Sequence, residues 1–143
     1  MNIRLAETDQ EIRLCFPVMA ELRPHIEESK FVSRVRDQQQ SGYRLVMLLR
    51  DAQPVCLAGY RVSENLAWGR FLYIDDFITR AERRSRGDGA ALLAWLKKEA
   101  QQQGCRQIHC DSGLQRELAH RFYERERMPK TGYHFAASLD AID

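Results

Sequence analysis

Apolar residues recur with two different periods along the chain, and the change of period separates helices from strands. Residues 2–7 alternate between apolar and polar, which predicts a short strand. Apolar residues then recur every three or four positions as far as Leu22, and Pro17 inside this pattern predicts a kink or a restart of the helix. A second amphipathic stretch, from about Ser29 to Ser41, predicts another helix, which Gly42 ends.

The middle of the chain predicts three consecutive strands. Tyr43–Arg50 contains a continuous apolar run, which is typical of a strand buried on both faces. Pro54–Ser63 and Arg70–Thr79 follow it after short turns, and the first two strands form a hairpin. A charged loop then leads to Gly87.

Helical spacing returns in the last third of the chain. Asp88–Gln103 predicts a helix with a leucine-rich inward stripe, and Gly104 is placed to cap it. We expect a strand at Arg106–Asp111, a helix that opens at Ser112 or Gly113 and ends at Met128-Pro129, and a closing strand at Gly132–Asp140. The order β-α-α-β-β-β-α-β-α-β predicts one α/β domain over residues 1–143, with helices on both faces of a mixed sheet.

The composition excludes several classes of protein. The 143 residues are 44% hydrophobic and 29% charged, which excludes a disordered chain, and no apolar run approaches the ~18 residues of a membrane span. The net charge of +2 argues against a nucleic-acid partner. The four cysteines form no C-x-x-C pair and the four histidines no H-x-x-x-H pair, so we expect no metal, free thiols and a cytoplasmic location.

Arg80–Gly87 concentrates the positive charge. It holds four arginines and one glutamate, a local charge of +3, just before a predicted helix. Two glycines in Gly87-Asp88-Gly89 let backbone N–H groups approach an anion, and the start of the helix adds further donors. The segment predicts a phosphate or pyrophosphate site, although it fits neither G-x-G-x-x-G nor a P-loop. An ordinary flexible loop is the alternative.

The pattern R-x-x-G-x-G/A before a helix with an L-L-x-x-L stripe resembles motif A of the GNAT superfamily of N-acetyltransferases. The predicted element order agrees with that family along the whole chain. Ala119–Glu124, which contains Tyr123, resembles the family's fourth-helix pattern, although Arg116 stands where asparagine is usual. The resemblance implies a mixed, mostly antiparallel sheet and the transfer of an acetyl group from acetyl-CoA to a primary amine of a small molecule, peptide or protein. A non-catalytic acyl-CoA-binding module is the alternative.

The resemblance also implies roles for particular residues. The pyrophosphate would lie on the backbone of the loop, and the pantetheine would run along three residues of the strand before it. Tyr123 would be the general acid toward the leaving sulfur. A monomer or a homodimer is expected. The implied cofactor-binding residues are Phe77, Ile78, Thr79, Arg84, Ser85, Arg86, Gly87, Asp88, Gly89 and Ala90.

Asp75 and Asp76 interrupt an apolar strand and are candidates for handling the acceptor amine. Burying an unpaired ion costs several kcal/mol, so such a pair faces a cleft or a cation. Because successive strand residues point to opposite faces, at most one of them should reach the amine. Acidic pairs here resemble those of some sugar-phosphate acetyltransferases, and an ion pair with Arg70 or with the Arg80–Arg86 loop is the alternative.

The sequence leaves alternatives for the general base and for the residues that line the acceptor pocket. His109 and His134 are alternative bases on predicted strands. The resemblance places the acceptor pocket at Leu22–Phe31 and at the hairpin near Tyr60. Glu27-Glu28 in that region would suit a cationic substrate, but a solvated helix start explains them equally well.

Overall fold

The computed structural model describes residues 1–140; Ala141, Ile142 and Asp143 lie outside the described part. The described chain forms two compact units, Met1–Cys110 and residues 111–140. In chain order the elements are β1 (Asn2–Leu5), α1 (Asp9–Leu14), α2 (Phe16–Leu22), α3 (Glu28–Gln39), β2 (Arg44–Arg50), β3 (Gln53–Asn65), β4 (Gly69–Thr79), a short 3-10 turn (Ala81–Arg83), α4 (Asp88–Gln102), β5 (Gln107–Cys110) and α5 (Glu117–Arg125).

The first unit is built on a five-stranded sheet in the order β1-β2-β3-β4-β5. The first four strands pair antiparallel, because short turns connect β2 to β3 and β3 to β4. Only β4 and β5 pair parallel, and α4 makes the crossover between them. The expected mixed, mostly antiparallel sheet is confirmed.

Helices cover both faces of this sheet, as the apolar stripes predict. Ile12, Val18 and Phe31 of α1–α3 pack in one buried cluster with alternate residues of β2 and β3, such as Leu45 and Leu57. On the other face, α4 buries Leu92, Leu93 and Leu96, and its Trp95 makes an edge contact with Tyr60 at 6.2 Å. The two faces of β2 are therefore both buried, as its continuous apolar run indicates.

Local sequence signals set the helix boundaries of this unit. Thr8 and Glu11 form a reciprocal capping box at the start of α1. The helix predicted around Pro17 is divided into α1 and α2, with Pro17 in the first turn of the second helix, where its missing N–H costs nothing. Gly42 and Gly104 adopt positive φ angles of 95° and 76° after α3 and α4, which confirms both as helix stops.

A β-bulge in β4 departs from the expected regular strand. Gly59 pairs with Asp76 and Tyr60 pairs with Ile74, so Asp75 is an extra residue without its own partner position on β3. The parallel pairing of β4 with β5 runs from Phe71–Gln107 to Ile74–Cys110 and ends there. The two neighbours of β4 therefore change their pairing at the same place.

The second unit differs from the prediction at both ends. Its helix begins at Glu117 rather than at Ser112 or Gly113, since no side chain caps the helix and Arg116 has non-helical angles of φ −89° and ψ 67°. The closing strand predicted at Gly132–Asp140 is wrong: the described residues 128–139 have no regular structure. Alternating apolar residues gave the strand pattern, but Tyr133 and Phe135 are exposed, so the pattern gains no burial there.

Among residues 1–140, no helix combines the length and the apolar character that crossing a membrane requires.

Candidate active site

The bulge in β4 gathers four charged side chains with no net charge. Asp76 accepts a hydrogen bond from Arg23 Nε at 3.0 Å through Oδ1 and one from the Tyr43 hydroxyl at 2.8 Å through Oδ2. Asp75 Oδ2 accepts from Arg61 Nε at 2.8 Å. The alternative that both carboxylates form ion pairs is therefore confirmed, but Arg23 and Arg61 are the partners instead of Arg70 or the Arg80–Arg86 loop.

The two carboxylates lie on the same face of the sheet, which corrects the expected alternation. Asp76 contacts Tyr43, which belongs to the apolar cluster under α1–α3. Asp75 contacts Arg61, whose guanidinium lies 5.5 Å from the centre of the same tyrosine ring. A bulge suspends the alternation of side chains at the extra residue, so both acids reach this side.

The two carboxylates differ in how fully they are engaged. Both oxygens of Asp76 hold donors, and its side chain is 15% exposed. Asp75 is 28% exposed, and its Oδ1 has no hydrogen-bond partner among the described residues. Asp75 is therefore the carboxylate with an oxygen available to an external amine.

Arg23 ties the bulge to the end of α2. Besides its bond to Asp76, its Nη2 donates to the backbone carbonyl of Asp75 at 3.0 Å. Glu21 of the same helix accepts from the backbone N–H of Ala81 at 2.9 Å, just after β4. Three hydrogen bonds therefore hold the end of α2 against β4 and the residues that follow it.

Tyr43 and Gly59 form the floor of this site. A Cβ atom on Gly59 would lie 1.9 Å from the Tyr43 hydroxyl, so only glycine lets the phenol cross β3 to reach Asp76. Burial, and then the neighbouring Asp76 carboxylate, raise the pKa of Tyr43 well above its ordinary value. The phenol therefore stays protonated and acts as a donor.

The Arg80–Gly87 loop has the geometry of an anion site. Gly87 precedes α4 in the left-handed region, with a φ of 85°, and Ser85 also has a positive φ of 64°. The first helical hydrogen bond runs from Ala91 N to the Gly87 carbonyl at 3.0 Å, so the N–H groups of Asp88, Gly89 and Ala90 lie ahead of it. Such groups, with the positive end of the helix dipole, suit a phosphate.

The arginines of this loop divide into two kinds. Arg83 pairs with Asp88 at 3.2 Å, whereas Arg84 and Arg86 form no ion pair within residues 1–140. The side chain of Asp88 is buried under the loop, so this residue can present only its backbone to a ligand. The loop therefore keeps two cations and the backbone donors of a helix start for an external anion.

Residues 77–79 lead from the bulge toward this loop. Phe77, Ile78 and Thr79 pair on one side with Ala58, Leu57 and Cys56 of β3. Arg80 N then donates to the Val55 carbonyl at 2.8 Å, which extends the contact with β3 to the beginning of the loop. The acidic bulge and the anion loop are thus connected by a single short stretch of strand.

The remaining candidates lie on other elements of the chain. Tyr123 lies on α5 of the second unit, where His134 pairs with Asp111 at 3.4 Å. His109 stacks on Trp68 at 3.6 Å, and burial lowers its pKa. Tyr60 donates to Glu99 of α4 at 2.6 Å, so it does not line an acceptor pocket on the α1–α3 face.

Glu27 does not converge on the cluster at the bulge. It pairs with Lys30 one turn further along α3 at 3.3 Å, and both side chains are about two-thirds exposed. This contact supports a solvated helix start. Within the described chain no three His, Cys, Asp or Glu side chains come together as metal ligands.

Sequence reasoning named none of Arg23, Tyr43, Gly59 and Arg61 as a site residue, although Arg23 lies within the segment Leu22–Phe31 that the resemblance implies for the acceptor pocket. Gly59 did carry a signal, because a glycine inside an apolar strand often marks a close approach of another group. Arg23 carried none, since its bond to Asp76 spans 53 positions of the chain.

Comparison with known proteins shows the family of the chain. The model of the acetyltransferase (GNAT) family matches residues 5–127. The chain belongs to the GNAT family. It is an acyltransferase, with acetyl-CoA as its cosubstrate.

Two curated relatives and one solved structure illustrate the similarity. An uncharacterized N-acetyltransferase of Bacillus subtilis, YhdJ, is 33% identical over 124 residues, which cover 86% of this chain and 87% of the relative. An aminoalkylphosphonate N-acetyltransferase of Salmonella typhimurium is 29% identical over 98 residues, 68% of this chain and 62% of the relative. The structure of the aminoglycoside N-acetyltransferase AAC(6')-Iy in complex with CoA superposes with a TM-score of 0.86 at 12% identity, covering 98% of this chain and 95% of that one; at that identity the likeness concerns the fold.

Replacing Gly59 by alanine should destabilise the protein by about 2 kcal/mol, because the new methyl group overlaps the buried Tyr43 ring and the well-packed site must shift. Urea denaturation measures the loss as a lower midpoint. Gly132→Ala is the matched control, since a Cβ there meets nothing within 4 Å. Equal midpoints for the two variants would show that Tyr43 does not need the space above Gly59.

Proposed function

We propose that residues 1–143 act as one domain that transfers the acetyl group of acetyl-CoA to the primary amine of a small molecule or peptide. The observation that carries this proposal is the course of β4. It leads from the carboxylates at the bulge, through residues 77–79, into the anion loop before α4. One strand therefore joins a site for an amine to a site for a pyrophosphate.

The cosubstrate is held by backbone more than by side chains. The pyrophosphate takes the N–H groups at the start of α4 and the charges of Arg84 and Arg86, while the pantetheine runs beside Phe77, Ile78 and Thr79. The position of Gly87 supports this assignment, because a left-handed residue there turns the backbone donors of the loop toward one point. The Phe77 N–H donates to the thioester oxygen as negative charge develops on it.

The two carboxylates at the bulge have different roles toward the amine. Asp75 receives the amine on its available Oδ1 and accepts the proton that the nitrogen loses. Asp76 is held between Arg23 and Tyr43 and keeps the bulge in position. The unequal hydrogen bonding of the two acids supports this division.

The reaction itself is a single displacement. The amine nitrogen forms a bond to the thioester carbon, the carbon–sulfur bond breaks, and the sulfur leaves with the electron pair. Tyr123 gives its phenolic proton to the leaving thiolate, since a phenol of pKa near 10 can share a proton with a thiol of pKa near 8.5. The resemblance of Ala119–Glu124 to the family's fourth helix supports Tyr123 in this role.

The acceptor is an amine, and the relatives suggest its size. One is named for aminoalkylphosphonates and the structural neighbour for aminoglycosides, both of which are small compared with a protein. The partly exposed Arg23 guanidinium beside Asp75 would suit an amine that also carries an anionic group. The described cysteines are free, which supports a reducing, cytoplasmic location.

The first test measures cofactor binding. Arg84→Ala should weaken acetyl-CoA binding about tenfold, because one charge-assisted contact to a phosphate is lost. Calorimetric titration gives the dissociation constant. Arg13→Ala is the control, since Arg13 is an exposed arginine of α1 outside the loop. Unchanged affinity in Arg84→Ala would contradict the loop assignment.

Tyr123→Phe should lower the turnover number by on the order of 10²-fold and leave acetyl-CoA affinity unchanged, because only proton donation to the thiolate is removed. CoA release is followed with a thiol reagent across a panel of aminoalkylphosphonates, aminoglycosides, polyamines and amino-terminal peptides. Tyr133→Phe removes the hydroxyl of an exposed tyrosine and serves as the control. Full activity in Tyr123→Phe would exclude it as the acid.

Asp75→Asn should lower kcat/KM for the amine by on the order of 10²-fold, because the amide cannot take the proton of the nucleophile. Acetyl-CoA affinity should remain within a factor of about two, since the change lies outside the loop. Asp37→Asn, on the exposed side of α3, controls for the loss of one negative charge. A variant that keeps kcat/KM would show that Asp75 does not contact the amine.

A further inference from the structure

One ion triad lies beneath the anion loop, outside the contacts that the proposed reaction uses. Asp88 is the one charged residue among positions 1–140 that is fully buried, with 1% of its surface exposed. Its Oδ1 accepts from Arg50 Nη2 at 2.7 Å and from Arg50 Nε at 3.0 Å. Its Oδ2 accepts from Arg83 Nη2 at 3.2 Å and from Arg83 Nε at 3.3 Å. We refer to Arg50, Arg83 and Asp88 as the clamp.

The clamp connects three parts of the first unit that are separate in the sheet. Arg50 is the last residue of β2, Arg83 ends the 3-10 turn, and Asp88 is the first residue of α4. β3 lies between β2 and β4, so no strand pairing could join the end of β2 to the loop that follows β4. Each oxygen of one carboxylate therefore holds a different segment.

The position of Asp88 is electrostatically unfavourable for a cofactor site taken by itself. A carboxylate at the start of α4 adds a negative charge where a pyrophosphate would bind. The two arginines reverse this local charge, and their bonds direct the carboxylate inward, under the loop. A buried ion held by two cations from distant segments is a constraint on geometry, because neither segment can move without leaving a charge unpaired.

We infer that the clamp is a positioning device for the cofactor, in which Asp88 and Arg50 fix the backbone donors of Gly87–Ala90 without touching the pyrophosphate. Arg83 thereby serves the loop, and Arg84 and Arg86 are left for the ligand. This inference rests on the proposed binding of the acetyl-CoA pyrophosphate at the same loop. It extends the cofactor site to Arg50, a residue of β2 that lies 38 positions before Asp88.

The experiment measures acetyl-CoA affinity in Asp88→Asn, in Arg50→Gln and in the double variant. Each single change should raise the dissociation constant about tenfold, because the loop loses its fixed geometry. The dissociation constant of the double variant should not exceed that of the single variant that binds acetyl-CoA less tightly, since both changes break the same connection. Arg50→Lys should recover part of the affinity, and Asp51→Asn, an exposed acid next to Arg50, should bind as the natural protein does.

A phosphorus-31 NMR spectrum of bound CoA separates positioning from a general loss of structure. In the natural protein the diphosphate resonances should shift on binding, and in the saturated Arg50→Gln variant they should return toward the values of free CoA. The thermal unfolding midpoint of each unliganded variant is measured as well and reports any general loss of structure. If Asp88→Asn does not fold, the comparison of Arg50→Gln with Arg50→Lys carries the same test.

Several outcomes would overturn the inference. Unchanged acetyl-CoA binding in Asp88→Asn would show that the carboxylate does not position the donors, and tighter binding would show that its charge only opposes the pyrophosphate. Additive losses of acetyl-CoA affinity in the double variant would show that Arg50 and Asp88 act independently. A diphosphate spectrum in saturated Arg50→Gln that equals the spectrum in the natural protein would show that the clamp has only a structural role. If the natural protein itself shows no diphosphate shift, the loop assignment of the proposed function fails instead.

Discussion

The extra residue in β4 is the constraint on which the candidate site depends. A regular strand would send Asp75 and Asp76 to opposite faces, and one of the two carboxylates would enter the apolar layer under α4. The bulge keeps both on the α1–α3 face, where Arg23, Tyr43 and Arg61 satisfy them. It also coincides with the last pair between β4 and β5, so one irregularity fixes the acids and marks the beginning of the stretch that leads to the loop.

Charge in this protein is arranged locally. The net charge of +2 conceals a neutral cluster of two acids and two arginines at the bulge and a separate excess of arginines before α4. Partly buried carboxylates at the bulge and the fully buried Asp88 are both tolerated, because each oxygen that is removed from water has a cationic or hydroxyl donor. Asp75 differs from Asp76 and Asp88 in its hydrogen bonds. One oxygen of Asp75 can still accept a donor, whereas both oxygens of Asp76 and of Asp88 already accept hydrogen bonds.

Sequence reasoning was most successful where structure depends on neighbouring residues. The capping box at Thr8, the restart at Pro17 and the glycine stops after α3 and α4 are local effects, and all of them are confirmed. It failed at Gly132–Asp140 and at the start of α5. A strand needs burial against a partner in addition to alternating apolar residues. A helix start needs a capping side chain in addition to helical spacing.

By itself, the sequence determined the mixed sheet, the helices on both of its faces, the family to which the chain belongs and the loop with its glycines and arginines. These follow from periodicity and from short motifs, in which the interacting residues are close along the chain. Only the tertiary structure decided which cations face Asp75 and Asp76, that Tyr43 reaches across Gly59, and that Arg50 holds Asp88. Those contacts join residues 14 to 53 positions apart, and their geometry is set by a strand register that no local pattern encodes.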